Sequence, residues 1–195
     1  MLIISRQGLV GGSRQRGPAV FLLRAVDGAE GPGCLEELRE AARALVQGVG
    51  AACSSRSYRH PLAVVALSER PVGIDIERVL PFDRDRADSI LTPDERRLGL
   101  SASGALLSSI WSSKEALAKA LGDARDYDPR RLESPLFWPD GRSGRWRARR
   151  LEGLEADLVG WVCWQAHAVG IHTTASVPPP AHGRSSAEPP ESCTK

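Results

Sequence analysis

Two short stretches of the chain combine carboxylates and lysines in patterns that can bind a metal ion and a phosphate. In the first stretch, residues 72–77 (VGIDIE), apolar residues alternate with Gly73, Asp75 and Glu77. Because side chains on a strand alternate between its two faces, this pattern predicts one apolar face and one face that carries both carboxylates. Gly73 leaves the backbone open on the carboxylate face, as expected where another group approaches closely.

The second stretch, residues 111–119 (WSSKEALAK), predicts a helix that carries one carboxylate between two lysines. Glu115 and Lys119 are four residues apart and therefore lie on one helix face, while Trp111 is expected to pack in the core. Magnesium prefers oxygen ligands, which carboxylates and substrate phosphates supply. The strand and the helix together can therefore hold a divalent cation and a polyphosphate. A separate apolar stripe on the helix should face the core: Leu106, Ile110, Leu117 and Leu121.

Either motif alone also fits an ordinary protein surface. Two carboxylates on a strand commonly form a solvated face. Lysines and a glutamate at helical spacing commonly form surface ion pairs worth about a few tenths of a kcal/mol. The combination of the two motifs in one chain is what favours a functional site.

The pair VGIDIE and WSSKEALAK resembles the 4'-phosphopantetheinyl transferase superfamily, in particular its surfactin-synthetase type, over residues 56–174. The resemblance implies a holo-[acyl-carrier-protein] synthase that moves the phosphopantetheine arm of coenzyme A to a serine of an acyl or peptidyl carrier protein. It implies Mg²⁺ as the cofactor, 3',5'-ADP as the second product, and a monomeric enzyme of polyketide or nonribosomal peptide biosynthesis.

The resemblance also assigns roles to single residues. Glu95 lies roughly where surfactin-type members carry a glutamate that helps to deprotonate the attacking serine, although a first-turn glutamate ordinarily interacts with the helix dipole. The matching positions are the metal ligands Asp75, Glu77 and Glu115, the phosphate-binding Lys114 and Lys119, and the catalytic Glu95, Glu115 and Lys119.

Upstream of these motifs the chain departs from the family pattern. Surfactin-type members carry a Ser-His pair that contacts the 3'-phosphate of coenzyme A, whereas here Ser57 is followed by Tyr58. Arg56 and Arg59 beside Ser57 can take over phosphate binding because a guanidinium suits it, and Ser57 and Arg59 are the predicted coenzyme A contacts. The departure leaves open a non-catalytic relative that binds coenzyme A or a carrier protein. An unrelated Mg²⁺-dependent phosphohydrolase is a third hypothesis, which the lack of a phosphate-cradling glycine loop disfavours.

Composition restricts the class of protein. Hydrophobic residues make up 42% and charged residues 26% of the chain, and the net charge is +2, which gives no bulk bias toward nucleic acid. The four cysteines are scattered, which favours reduced thiols in a cytoplasmic protein. No apolar run approaches the roughly 18 residues of a membrane helix.

The resemblance predicts an α/β (α+β) fold of two similar small αβ halves that form a pseudo-dimer. The N-terminal half, shortened and divergent, would span residues 1–71, and the C-terminal half residues 72–175. The Pro-, Ser- and Ala-rich composition of residues 176–195 predicts a disordered tail. Local patterns predict helices at 35–46, 83–91 and 106–121 and a helix from Pro93 toward Leu100; they predict strands at 19–26, 62–67, 135–138 and 145–151, and hairpins that pair 62–67 with 72–77 and 158–164 with 169–174.

An arginine cluster on residues 142–150 has two interpretations. Arg145, Arg147 and Arg149 would share one face of a strand, beside Arg142 and Arg150. This face can dock an acidic carrier protein, or it can be a soluble edge strand protected by its charge.

Overall fold

Two antiparallel four-stranded sheets make up the frame of the molecule. The computed structural model describes residues 2–7, 17–25, 32–98 and 103–166. The first sheet has the strand order β1-β2-β4-β3 and the second β5-β8-β7-β6. The strands are β1 (Leu2–Gln7), β2 (Ala19–Ala25), β3 (Cys53–Arg59), β4 (Leu62–Ser68), β5 (Val72–Arg78), β6 (Arg142–Ser143), β7 (Trp146–Arg150) and β8 (Leu158–Gln165).

Helices cover the outer face of each sheet. The helices are α1 (Pro32–Val49), α2 (Arg84–Ile90), α3 (Pro93–Arg97) and α4 (Gly104–Leu121), followed by three 3-10 turns at Pro129–Arg131, Pro135–Phe137 and Pro139–Gly141. No helix in these ranges has the length and apolar character that crossing a bilayer requires. The result is a mixed α+β fold, as the sequence predicts.

The two sheets pack face to face through a shared apolar core. Val20, Leu62 and Val64 of the first sheet meet Ile74 and Val162 of the second, and all five are buried. The opposite face of the first sheet packs against α1, and the opposite face of the second packs against α4. Each sheet therefore carries one 18-residue helix on its outer side.

Three sequence predictions of local structure are wrong. Strands β4 and β5 do not form a hairpin but lie in different sheets, and β5 pairs with β8. Both strands are buried on both faces, so their apolar patterns do not reveal which neighbour they pair with. Residues 135–138 form a 3-10 turn capped by Ser134 rather than a strand, and Leu121 is 41% exposed rather than in the core.

Other local predictions are confirmed. Helix α4 ends at Gly122, whose φ of 89° is the left-handed cap expected from the sequence. Helix α3 begins after Thr92 with a capping box in which Thr92 and Glu95 bond to each other's backbone N–H. In the described part of the chain Cys53 and Cys163 are free thiols. The predicted strand at 169–174 and the predicted tail at 176–195 lie outside the described residues.

Gly73 lies where α4 crosses β5, so the close approach predicted from its sequence context comes from a helix. A Cβ at Gly73 would lie 1.9 Å from the carbonyl oxygen of Ala116 and 2.5 Å from the amide nitrogen of Ala120. We expect Gly73→Ala to lower the free energy of unfolding by about 3 kcal/mol, since the backbone of α4 must move. Urea denaturation measures this change.

Gly48 supplies the matched control for that substitution. It lies near the end of α1, and a Cβ there would meet nothing within 4 Å. Gly48→Ala should therefore leave stability unchanged or raise it by about 0.5–1 kcal/mol. Equal stability of the Gly73→Ala and Gly48→Ala variants would show that α4 does not press on β5 as described.

Candidate functional site

The site forms at a seam between the two sheets, where edge strand β3 meets edge strand β5. Side-chain hydroxyls of β3 accept hydrogen bonds from the backbone of β5: Ser55 Oγ from the N–H of Ile74 at 3.1 Å, and Ser57 Oγ from the N–H of Ile76 at 3.2 Å. These bonds satisfy donors that an unpaired edge strand would otherwise expose. The seam therefore places polar side chains of β3 beside the carboxylates of β5.

Asp75 lies at the centre of this seam and is only 4% exposed. Its Oδ1 accepts hydrogen bonds from Ser57 Oγ at 2.9 Å and from Lys119 Nζ at 2.8 Å. Its Oδ2 is buried and has no hydrogen-bond partner among the described residues. Burial raises the pKa of Asp75 to about 6, although the positive charge of Lys119 opposes this. One carboxylate oxygen is thus held in place while the other is left for a ligand.

Glu77 is the second carboxylate of β5, and three donors hold it. Arg59 binds it with both ends of the guanidinium, Nε to Oε2 at 3.0 Å and Nη2 to Oε1 at 2.6 Å. The indole N–H of Trp111 also donates to Oε1, at 3.1 Å. Burial acts to lower the pKa of Arg59, but the bond to Glu77 and the charges of Asp75 and Glu115 raise it overall. The negative charges of all three carboxylates therefore raise the pKa of one guanidinium.

Glu115 reaches the site from α4 and is bound by a residue that sequence reasoning missed. The hydroxyl of Tyr127, on the loop after α4, donates to Glu115 Oε1 at 2.6 Å. The Tyr127 ring stacks on Trp111, with ring centres 6.5 Å apart. Burial, followed by the bond to Glu115, raises the pKa of Tyr127 well above its ordinary range. The only signal in the sequence was an aromatic hydroxyl shortly after the helix motif.

Lys114 and Glu95 form a separate buried pair outside the seam. The Lys114 side chain is fully buried, and its Nζ donates to Glu95 Oε2 at 2.6 Å and to the carbonyl oxygens of Ile90 and Pro129 at 2.8 and 2.9 Å. The remaining Glu95 oxygen accepts from the N–H of Ser134 at 2.8 Å. All three ammonium donors are used, so this placement does not support the predicted phosphate contact of Lys114 or the predicted catalytic role of Glu95.

The three seam carboxylates fit magnesium in their chemistry. Carboxylate oxygens are the ligands that this hard cation prefers, and the unpartnered Oδ2 of Asp75 points to a missing ligand. Within the described ranges, however, no group of three or more His, Cys, Asp or Glu side chains lies close enough to hold a metal ion. Binding at all three carboxylates would therefore require Glu77 or Glu115 to move from its present partners.

The two neighbours of Ser57 on β3 differ in their relation to the site. Arg59 shares the seam face with Ser57, whereas Tyr58 points to the opposite face of the first sheet and packs in the core beneath α1. Tyr58 therefore does not stand in for the histidine of the family pattern. The predicted coenzyme A residues Ser57 and Arg59 are brought to the carboxylates, but each is bonded to one of them.

Two arginines of the cluster face away from the carboxylates. Arg147 and Arg149 on β7 lie opposite Trp164 and Val162 of β8, on the face that looks toward the first sheet. Arg150 lies opposite Trp161, on the face that carries Asp75. Carrier docking at this cluster stays a prediction.

Comparison with known proteins finds a similarity to one family over part of the chain. Residues 71–153 match the family model of the 4'-phosphopantetheinyl transferase superfamily. The matched span begins just before β5 and includes the three carboxylates, Lys119 and Tyr127, but not Ser57 or Arg59. No curated protein matches the chain significantly.

Proposed function

We propose that this chain transfers the phosphopantetheine arm of coenzyme A to a serine hydroxyl of an acyl or peptidyl carrier protein and releases 3',5'-ADP. The observation that carries the proposal is the grouping of Asp75, Glu77, Glu115 and Lys119 at one seam, inside the span that matches the superfamily. The proposal includes a monomeric, cytoplasmic enzyme of the surfactin type that serves polyketide or nonribosomal peptide synthesis.

The three carboxylates are the proposed magnesium ligands. Asp75 offers its unpartnered oxygen, and Glu77 and Glu115 flank it from β5 and α4. When bound, magnesium would offset the charge of the coenzyme A pyrophosphate and make 3',5'-ADP a better leaving group. The ammonium of Lys119 supplies a positive charge from the protein itself, and its ion pair with Asp75 holds it in place.

Lys119 is the lysine best placed to bind a phosphate. Its side chain is 23% exposed, and its ammonium donates to Asp75 and to the carbonyl oxygen of Ile74. An ammonium has three donors, so in the described structure one donor of Lys119 remains for a phosphate oxygen. Arg59, 42% exposed at the mouth of the seam, is the proposed second cation for coenzyme A. Ser57 orients Asp75 through its hydroxyl.

A non-catalytic relative is the second candidate, and one observation favours it. Arg59 binds Glu77 through Nε and Nη2, and bidentate arginine–carboxylate pairs are strong, so Arg59 competes with a metal for this carboxylate. Such a protein would bind coenzyme A or a carrier protein without transfer. Titration calorimetry measures the binding of coenzyme A, and a transfer assay measures the reaction. Binding without transfer indicates the non-catalytic relative.

Release of 3',5'-ADP is the direct test of the proposed reaction. The chain is incubated with coenzyme A, Mg²⁺ and an apo acyl carrier protein, and the nucleotide products are separated by chromatography. We expect 3',5'-ADP to appear only with the complete mixture and to disappear with EDTA or with a carrier whose acceptor serine is replaced by alanine. Binding of coenzyme A without any release would favour the non-catalytic relative.

Magnesium binding is expected to weaken as the pH falls below about 6. Burial raises the pKa of Asp75 from 3.8 to about 6, and a metal binds the ionised form of a carboxylate. Below that pH the metal must displace a proton, so its affinity should fall about tenfold per pH unit. Titration calorimetry with Mg²⁺ on both sides of this pH measures the change.

The raised pKa of Asp75 also makes the stability of the metal-free chain depend on pH, in the opposite direction to the Mg²⁺ affinity. Because the folded chain holds this proton more tightly than the unfolded chain, Asp75 stabilises the fold at low pH, and this contribution is lost as the pH rises through about 6. Asp75→Asn removes the titrating group, so it is the control for this dependence of stability on pH. A Mg²⁺ affinity of the unmodified chain that is constant across this pH range would contradict Asp75 as a ligand.

A further inference from the structure

We propose that Arg59 links the two ligands of the proposed reaction: it holds Glu77 in the described structure, and it releases this carboxylate to Mg²⁺ when it binds a phosphate of coenzyme A. The inference deepens the proposed function and rests on it, because both ligands belong to that proposal. Arg59 thereby makes the binding of each ligand favour the binding of the other.

The bonds from Arg59 cover both oxygens of the Glu77 carboxylate. Nη2 donates to Oε1 at 2.6 Å, and Nε donates to Oε2 at 3.0 Å. Oε1 also accepts a hydrogen bond from the indole N–H of Trp111, whereas Arg59 is the one donor that the described residues supply to Oε2. Release of Arg59 therefore frees Oε2 and leaves Oε1 bonded to Trp111.

Release of Arg59 leaves two free carboxylate oxygens on one face of β5. Asp75 and Glu77 share this face because they are two residues apart on the strand, and Oδ2 of Asp75 already has no partner among the described residues. Magnesium is usually bound by one or two carboxylates together with substrate phosphates. The exchange at Arg59 thus requires no group of three carboxylates, and Glu115 can keep its bond to Tyr127.

Arg59 can reach a phosphate before it leaves Glu77. Its side chain is 42% exposed, and besides the two bonds to Glu77 it donates from Nη1 to the carbonyl oxygen of Tyr58 at 3.1 Å. A guanidinium has five N–H donors, so two remain within the described structure. Guanidinium groups bind phosphates as well as carboxylates through two parallel bonds. A phosphate monoester carries about −1.5 to −2 charges at pH 7, more than a carboxylate, so it can displace Glu77.

The burial of Glu77 makes the exchange reciprocal. Its side chain is only 12% exposed, and a buried charge without a partner is costly. Glu77 therefore gives up Arg59 more readily when Mg²⁺ replaces it, and it accepts Mg²⁺ more readily when a phosphate has taken Arg59. By thermodynamic linkage, each ligand raises the affinity for the other by the same factor.

Arg59→Gln removes the cation that competes for Glu77. We expect the Kd for Mg²⁺, measured by titration calorimetry in the absence of coenzyme A, to fall by about 10-fold. The affinity for coenzyme A without Mg²⁺ should fall as well, because Arg59 is its proposed phosphate contact. A purely structural role of Arg59 would not tighten the binding of Mg²⁺.

Arg56→Gln is the matched control. Arg56 is exposed on the same strand, but its side chain lies on the face opposite to Ser57 and Arg59. The substitution also deletes one positive charge from β3, and it should leave the Kd for Mg²⁺ unchanged. In a Glu77→Gln background, Arg59→Gln should no longer tighten Mg²⁺ binding, because its action passes through Glu77. A gain of the same size in that background would show an effect of charge alone and overturn the exchange.

The same titrations with saturating coenzyme A test the link between the ligands. Coenzyme A should raise the Mg²⁺ affinity of the unmodified chain, and it should raise that of the Arg59→Gln chain by about 10-fold less, because Glu77 is already free there. The gain that remains measures the direct attraction between Mg²⁺ and the pyrophosphate. An equal gain in both chains would contradict the link.

Arg59→Lys is the second variant, in case Arg59→Gln weakens the fold. Lysine keeps the positive charge but cannot form two parallel bonds with a carboxylate, so its Mg²⁺ affinity should lie between those of the unmodified and Arg59→Gln chains. Equal affinities in all three chains would overturn the role of Arg59 while the metal site stands. If none of the three binds Mg²⁺, with or without coenzyme A, the magnesium site of the proposed function is wrong as well.

Discussion

Asp75→Asn is expected to lower the rate of phosphopantetheine transfer by about 10³-fold or more. Metal-ion stabilisation of a phosphoryl transition state is worth several kcal/mol, and about 4 kcal/mol corresponds to this loss. Asparagine has the shape of aspartate, but its amide does not supply the negative oxygen that is unpartnered in the structure. Transfer is measured from initial rates with an apo carrier protein at saturating coenzyme A.

The fold should survive this substitution. Asparagine can still accept the hydrogen bond from Ser57. The substitution also removes a buried carboxyl group whose pKa is raised to about 6. The free energy of unfolding should therefore change by less than about 2 kcal/mol. Asp157→Asn is the control, because Asp157 is an exposed aspartate paired with Arg78 on the surface. A folded Asp75→Asn variant with the transfer rate of the Asp157→Asn variant would contradict the assignment of Asp75 as a metal ligand.

Lys114→Met is expected to destabilise the fold by about 3–5 kcal/mol, because it leaves Glu95 buried without its positive partner. The lysine also bonds to the carbonyl oxygens of Ile90 and Pro129. It thus connects the end of α2, the helix α3 that carries Glu95, and the turn after α4. Proteins commonly have only about 5–15 kcal/mol of stability in total, so a large fraction would be lost. Urea denaturation measures the effect.

Lys119→Met is the matched control for this substitution. Lys119 is partly exposed and lies at the seam, and burial raises the pKa of its partner Asp75 to about 6, so that this carboxylate can take up a proton when the lysine is lost. The loss of Lys119 should therefore cost less stability but raise the KM for coenzyme A. Removing both members of the buried pair, with Lys114→Met and Glu95→Gln together, should cost less than the sum of the two single changes. A stable Lys114→Met variant with a raised KM would instead support the phosphate contact predicted from the sequence.

Local patterns predicted the elements that carry the site. The alternation in VGIDIE placed the carboxylates of β5 on one face, and Gly122 marked the end of α4. Both features depend on residues that are close together in the sequence, and local sequence patterns describe structure over this range. The pairing of β5 was missed because a strand buried on both faces can pair with any apolar neighbour.

The distinction between the two lysines could not be predicted from their spacing. Lys114 and Lys119 are both lysines on the same helix, yet the side chain of Lys114 is fully buried and that of Lys119 is partly exposed at the seam. The burial of Lys114 depends on two backbone carbonyls and a glutamate supplied by three distant segments. Such acceptors leave no periodic signal in the sequence.

The role of Tyr127 escaped prediction for a similar reason. Its hydroxyl reaches Glu115 only because the loop after α4 folds back over the helix. Resemblance assigned Glu115 to the metal and could say nothing of a tyrosine outside the motif. The departure at residues 57–58 is clearer in the structure, where Ser57 contacts Asp75 and Tyr58 faces the other way.

The intact mass of an apo carrier protein, after incubation with this chain, coenzyme A and Mg²⁺, tests the central claim most directly. We predict that the carrier gains the mass of one phosphopantetheine arm, and that the gain vanishes with the Asp75→Asn variant but not with the Asp157→Asn variant. No gain with any of several apo carriers, from a folded chain that binds coenzyme A, would contradict the proposed transfer and favour the non-catalytic relative.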